Sequence, residues 1–226
     1  MKKFYVAALM LAAVPTMAHA GDKNAARCEV RSADVPAYTA AAGDVATGNH
    51  LEFARAFSGH GRFELDVCHA AVSIESLPGL DQIKVAVTIN GSDAAATRVQ
   101  GLKVDADQAI VRMNFRKQDH ATVKISLPLL NNSQDEINIS QGDLELKATH
   151  SAGDRKIDVD KGHVVLLLNG REDYAQLDAR LEEGTVKDER GGPQNGFLES
   201  VKDFSGHGAG KLQVKVGSGS LTIRKQ

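Results

Sequence analysis

Between Glu136 and Glu189 a short unit of strand, glycine and strand occurs three times, and its period constrains the fold more than any other feature of the chain. Gly142, Gly162 and Gly184 are 20 and 22 residues apart. Ile137, Ile157 and Leu177 precede the glycines, and Leu144, Val164 and Val186 follow them. A period near 20 with two alternating apolar runs per unit suits a β-solenoid, in which one coil buries its inner face only when the next coil stacks on it. Each glycine is expected at a corner that a residue with a Cβ tolerates poorly, and Gly219 repeats the pattern near the end of the chain. In this register Ile137, Ile157 and Leu177 stack in one interior column and Leu144, Val164 and Val186 in a second. Asp143, His163 and Thr185, one residue past each corner, form an outward column that faces a partner. Strand spacing there brings the Asp143 carboxylate beside the His163 imidazole.

The same alternation runs through the rest of the chain. Phe63, Leu65 and Val67 alternate with Glu64 and Asp66, and Val72 and Ile74 follow past Cys68. Ile83, Val85, Val87 and Ile89 form a strict period-2 run closed by the turn pair Asn90-Gly91. Further runs end at Phe115 and Leu129, and Leu212 to Ile223 repeats the unit once more around Gly217-Ser218-Gly219. Asp188 to Glu199 is rich in glycine and proline and reads as a loop. Residues 21–56, alanine-rich and weakly patterned, read as a lead-in that caps the first coil, with a short helix as one option.

Lys2 and Lys3, the apolar run Phe4 to Val14 and the small-residue end Ala18-His19-Ala20 make a secretory signal peptide over residues 1–20. Loss of the two lysines takes the formal charge from −2 to −4, which argues against nucleic acid or an anionic membrane as partner. No later run approaches the roughly 18 apolar residues of a membrane-spanning helix. The chain has no tryptophan, and narrow interiors filled by Val, Ile and Leu fit that composition. In an exported protein the two cysteines, Cys28 and Cys68, are expected to pair and to pin the lead-in onto the first coil.

No motif fixes a reaction. Gly217-Ser218-Gly219-Ser220 lacks the spacing of a nucleophile elbow. Asp158, Asp160 and Asp178 flank what look like equivalent apolar positions, and two carboxylates on one wall are what a glycan-cleaving β-helix requires. Alternating acids are equally what any wet strand face carries. Asp158-Val159-Asp160-Lys161-Gly162 lacks the later ligands of a calcium loop. The repeated pentapeptide Phe57-Ser58-Gly59-His60-Gly61 and Phe204-Ser205-Gly206-His207-Gly208 places a histidine in each copy, without a second donor at ligand spacing. No metal or cofactor is expected.

Several of these residues carry a resemblance. Val123 to Pro128, Gly142-Asp143-Leu144-Glu145-Leu146, Gly162-His163-Val164 and Gly219-Ser220-Leu221-Thr222-Ile223 together resemble the bacterial "putative adhesin" domains of unknown function, also called toastrack-like, over Gly61 to Arg224. The resemblance implies a β-helix-like, non-enzymatic extracytoplasmic domain, linked by context to adhesion or envelope-stress signalling, with no catalytic residues to carry over. The chain departs from membrane-attached members in lacking a transmembrane segment. The resulting expectation is an all-β, single-domain β-solenoid over residues 57–226, capped by residues 21–56. It acts in the periplasm or outside the cell on an envelope protein or glycan. The alternative is a glycan-active β-helix lyase or hydrolase.

Overall fold

The structure, a computed structural model, describes residues 35–91, 94–129, 131, 134–148, 153–191 and 199–226. The signal segment, Cys28 and most of the glycine-rich loop lie outside these residues. Within them the protein is all-β, with 13 strands in one large mixed sheet. The strands are β1 (Val45–Thr47), β2 (His50–Ala56), β3 (Arg62–Cys68), β4 (Ala70–Leu77), β5 (Gln82–Thr88), β6 (Val99–Val104), β7 (Gln108–Asn114) and β8 (Ala121–Pro128). They continue as β9 (Gln134–Ala148), β10 (Asp154–Leu168), β11 (Gln176–Asp188), β12 (Ser200–Asp203) and β13 (Lys211–Lys225).

The central path runs β4-β9-β10-β13-β11-β12, and every pairing from β4 to β11 is parallel. β3 pairs with the first half of β9 and β4 with its second half, so β3, His69 and β4 act together as one more long strand. His69 turns the chain at φ 55°, one residue before Ala70, which is the register mate of Gly142.

Burial shows why a corner is needed. In β9 the buried aliphatics are Ile137 and Ile139 before the glycine but Leu144 and Leu146 after it, a one-residue change of parity that repeats in β10 and β13. In a continuous pleat such a slip would send the second set to the opposite face. Both halves nevertheless belong to one core, so the chain turns at the slip. Gly142, Gly162, Gly219 and Gly184 form a column at that line. A Cβ on Gly162 would lie 1.6 Å from the Gly142 carbonyl oxygen, so the backbones approach to a distance open only to glycine.

Two expectations of register need correction. Ile157 aligns with Ile137 and Val214, and Val214 with Ala179, whereas Leu177 aligns with Leu212. The interior column is therefore Ile137, Ile157, Val214 and Ala179. Leu177 stands seven residues before its glycine and not five, and the last strand, β13, inserts between β10 and β11. On the other side of the corner Leu144, Val164, Leu221 and Val186 do share a column. The described part of the lead-in contains no helix: β1 and β2 pair antiparallel, β2 continues onto β5, and Leu51 and Phe53 enter the same core.

Candidate functional site

The parallel pairing that aligns the core also aligns what faces out. The outward positions are 62, 64 and 66 of β3, 134, 136 and 138 of β9, 154, 156 and 158 of β10, 211, 213 and 215 of β13, and 176, 178 and 180 of β11. Every one carries a polar or charged side chain and none an aromatic ring. Neighbouring strands are about 4.8 Å apart and successive outward positions about 6.7 Å apart, so these side chains form a two-dimensional grid.

Ion pairs knit the grid. Arg62 Nη2 reaches Glu64 at 3.2 Å and Glu136 at 3.4 Å, and Lys156 approaches Glu136 at 3.3 Å from the other side. Arg112 bridges Glu64 at 3.1 Å and Asp66 at 3.3 Å, where Asn138 also donates at 2.9 Å. Farther along, Arg180 pairs with Asp178 at 2.6 Å and Lys215 with Glu182 at 2.8 Å. The hydrogen bond to Lys215 holds the Glu182 carboxyl below its ordinary range. Apart from the pairs of the buried Arg112, these ion pairs are exposed and each adds little, so they organise a surface more than they stabilise the fold. At the start of β9, β10 and β13 the surface sinks into a cleft of about 360 Å³, rimmed by Arg62, Glu136, Asp154, Lys156, Lys211 and Gln213.

Beneath the cleft, on the inner side of the same strands, Arg155 and Asp135 form a buried ion pair at 3.0 Å, with Ser76 Oγ 3.4 Å from Arg155 Nη2. Burial pushes the Asp135 carboxyl up, against the Arg155 charge and the Phe63 backbone N–H, which pull it down. Its Oδ1 has no partner within hydrogen-bond geometry among the described residues. A second cluster ties β12 to the end of β11. The Tyr174 hydroxyl donates to Asp203 at 2.9 Å, Arg190 donates to that hydroxyl and pairs with Asp188 at 2.6 Å, and the guanidinium lies 5.7 Å from the Tyr174 ring centre. Tyr174 is fully buried, so this cluster is a clasp and not a surface.

No protein-family model matches the chain, and no curated protein does. A solved structure described as a "putative cell adhesion protein", from Clostridium sporogenes, is similar over 77% of this chain and 99% of that chain, at 11% identity and a TM-score of 0.46.

The residues singled out from sequence fall as follows. Asp143 and His163 are neighbours, but Asp143 Oδ1 accepts from the His163 backbone N–H at 3.0 Å and the ring Nδ1 meets Ser220 Oγ at 2.8 Å. Thr185 is not next to His163, because Ser220 of the inserted β13 lies between them. Asp178 is not equivalent to Asp158: its register mates are Gln213 and Lys202, β13 separates it from β10, and its carboxylate is committed to Arg180. The two pentapeptide copies diverge, with Phe57 buried and Phe204 66% exposed, and no three His, Cys, Asp or Glu side chains among the described residues converge on a metal position. Cys68 is buried at the end of β3, and no described cysteine is free. The cleft itself is absent from the sequence reading. The only trace of it is the polar phase of alternation in Arg62-Glu64 and Glu136-Asn138, which does not say which strands lie side by side.

Proposed function

We propose that this chain is an exported, non-enzymatic binding protein of adhesin-like type, a β-solenoid that presents its aromatic-free polar grid to a protein of the cell envelope. The observation that carries the reading is the grid: five parallel strands hold fifteen outward polar positions in fixed register, on a backbone pinned by the glycine column. Such a surface is rigid, wide and shallow, which suits a macromolecule better than a small substrate enclosed in a pocket. Sugar rings bind through their C–H faces on aromatic platforms, and the grid offers none, which favours protein over glycan. Export to the periplasm or the medium follows from the signal-type N-terminus, and a Cys28–Cys68 bridge would hold the lead-in against β3. Intact mass with and without reduction before alkylation tests that bridge. The function is tested by photocrosslinking from grid positions in cells that export the protein. An adduct with an envelope protein from position 156 or 215 supports it, and equal labelling from every surface position overturns it.

A further inference from the structure

The cleft at the head of β9, β10 and β13 has an imbalance of its own. Over the whole grid the charges mix, with five cations and six carboxylates, so no bulk field selects a ligand. The rim carries three cations, Arg62, Lys156 and Lys211, against two carboxylates, Glu136 and Asp154, the buried Asp135–Arg155 pair that also lines the cleft is balanced, and both oxygens of Glu136 are spoken for. Glu136 gives one oxygen to Lys156 and the other to Arg62, and Asp154 Oδ1 accepts from the Lys211 backbone N–H at 2.9 Å. The donors are not. Arg62 uses a single nitrogen, Nη2, for both of its carboxylates, leaving Nη1 and Nε uncommitted among the described residues on a side chain that is 50% exposed. Lys211 has an exposed side chain and no ion pair among the described residues. The free valence of the cleft is thus cationic, with one edge of a guanidinium shaped for a carboxylate.

From this we infer that the cleft binds an acidic, extended segment of a partner protein, with one carboxylate on the free edge of Arg62 and another on Lys211. The inference rests on the grid being the binding face. Geometry sets the spacing. Arg62 on β3 and Lys211 on β13 are three strand steps apart, about 14 Å, with Lys156 between them. An extended peptide rises about 3.4 Å per residue, so carboxylates at positions i and i+4 span the distance when the peptide crosses the strands. Because the donors are exposed, binding depends strongly on ionic strength.

The test uses the full exported chain and a fluorescent nine-residue peptide alternating Glu and Ser, beside a Gln–Ser control and an oligouronate of equal charge. The expected result is binding of the Glu–Ser peptide at about 20 mM salt, lost near 300 mM, where the Debye length has fallen severalfold. It is weakened tenfold or more by Arg62→Gln with Lys211→Gln and unchanged by Lys187→Gln, which lies past the corner. Failure to bind at low salt, equal binding of the Gln–Ser peptide, or indifference to the double substitution overturns the inference. Binding of the oligouronate as tightly through the same two residues overturns it in favour of an acidic glycan. A crosslinker at position 215 in cells that export the chain separates the two levels. An adduct there without acidic-peptide binding removes this ligand and leaves the grid as the binding face, and no adduct removes the face as well.

Discussion

At Gly162 the backbone has φ 158° and the Gly142 carbonyl oxygen occupies the space where a Cβ would be. Neither atom is the end of a flexible side chain, so relief requires two paired strands to part. Gly162→Ala is therefore expected to cost about 3 kcal/mol or more, a large share of a domain's net stability, and urea unfolding measures it. A loss below about 1 kcal/mol would mean that the column is not closely packed. Asp203 gives a second single-residue outcome. Hydrogen bonds from the Ser205 hydroxyl and backbone N–H, with the Tyr174 hydroxyl adding to them, pull its carboxyl down to about 2 from an ordinary 3.8. A depressed carboxyl stabilises the folded state fully above its unfolded value and loses that contribution as pH falls through its folded value. The stability difference between the protein and Asp203→Asn is expected to be constant above about pH 4, to shrink between 4 and 2, and to vanish below. A difference that persists undiminished through pH 2 and below would place the effect in packing instead of charge. Asp135 works the other way: burial makes the folded state hold the proton more tightly, so stability is fully present below the unfolded value and falls as pH rises through the folded one.

Among the elements, β13 decides what could be read in advance. Strands, their alternation and the corner at each glycine were legible because each is written within about twenty consecutive residues: a period of 2, a slip, a glycine. The column of Leu144, Val164 and Val186 followed from equal offsets of two residues past the glycine. The apolar run before Gly184 holds Leu177, Ala179 and Leu181, and the residue at the common offset, Ala179, is the smallest of the three, so side-chain size points away from the true register. The insertion of β13 between β10 and β11 left no local trace. It depends on which edge is open once the loop after β11 has been crossed, and the polar cleft was invisible for the same reason, since Lys211 and Lys156 lie 55 residues apart in sequence. Register can be tested directly. Leu177→Ala and Leu212→Ala should each cost about 2–5 kcal/mol, and their double-mutant cycle should show a coupling of about 0.5 kcal/mol or more. The Leu177→Ala, Ile157→Ala cycle should be additive within about 0.5 kcal/mol. The reverse pattern would restore the consecutive stacking expected from sequence.

The whole molecule joins two halves: a core whose register is set by glycine contacts, and a polar grid that inherits that register. Asp178 is neutralised by Arg180, and the buried Asp135–Arg155 pair faces the interior, where removing one partner would leave an uncompensated charge. The charged members of the grid are exposed enough to be changed without touching the core. The central claim is that contact with a partner is made there and not on the half of the sheet past the corner. Its most direct measurement places a photocrosslinking residue singly at positions 136, 156 and 215, and for comparison at 124, 187 and 222, in cells exporting the protein. The account predicts one envelope-protein adduct from the first three positions and none from the second three; adducts from the second set alone, or none from either, would contradict it.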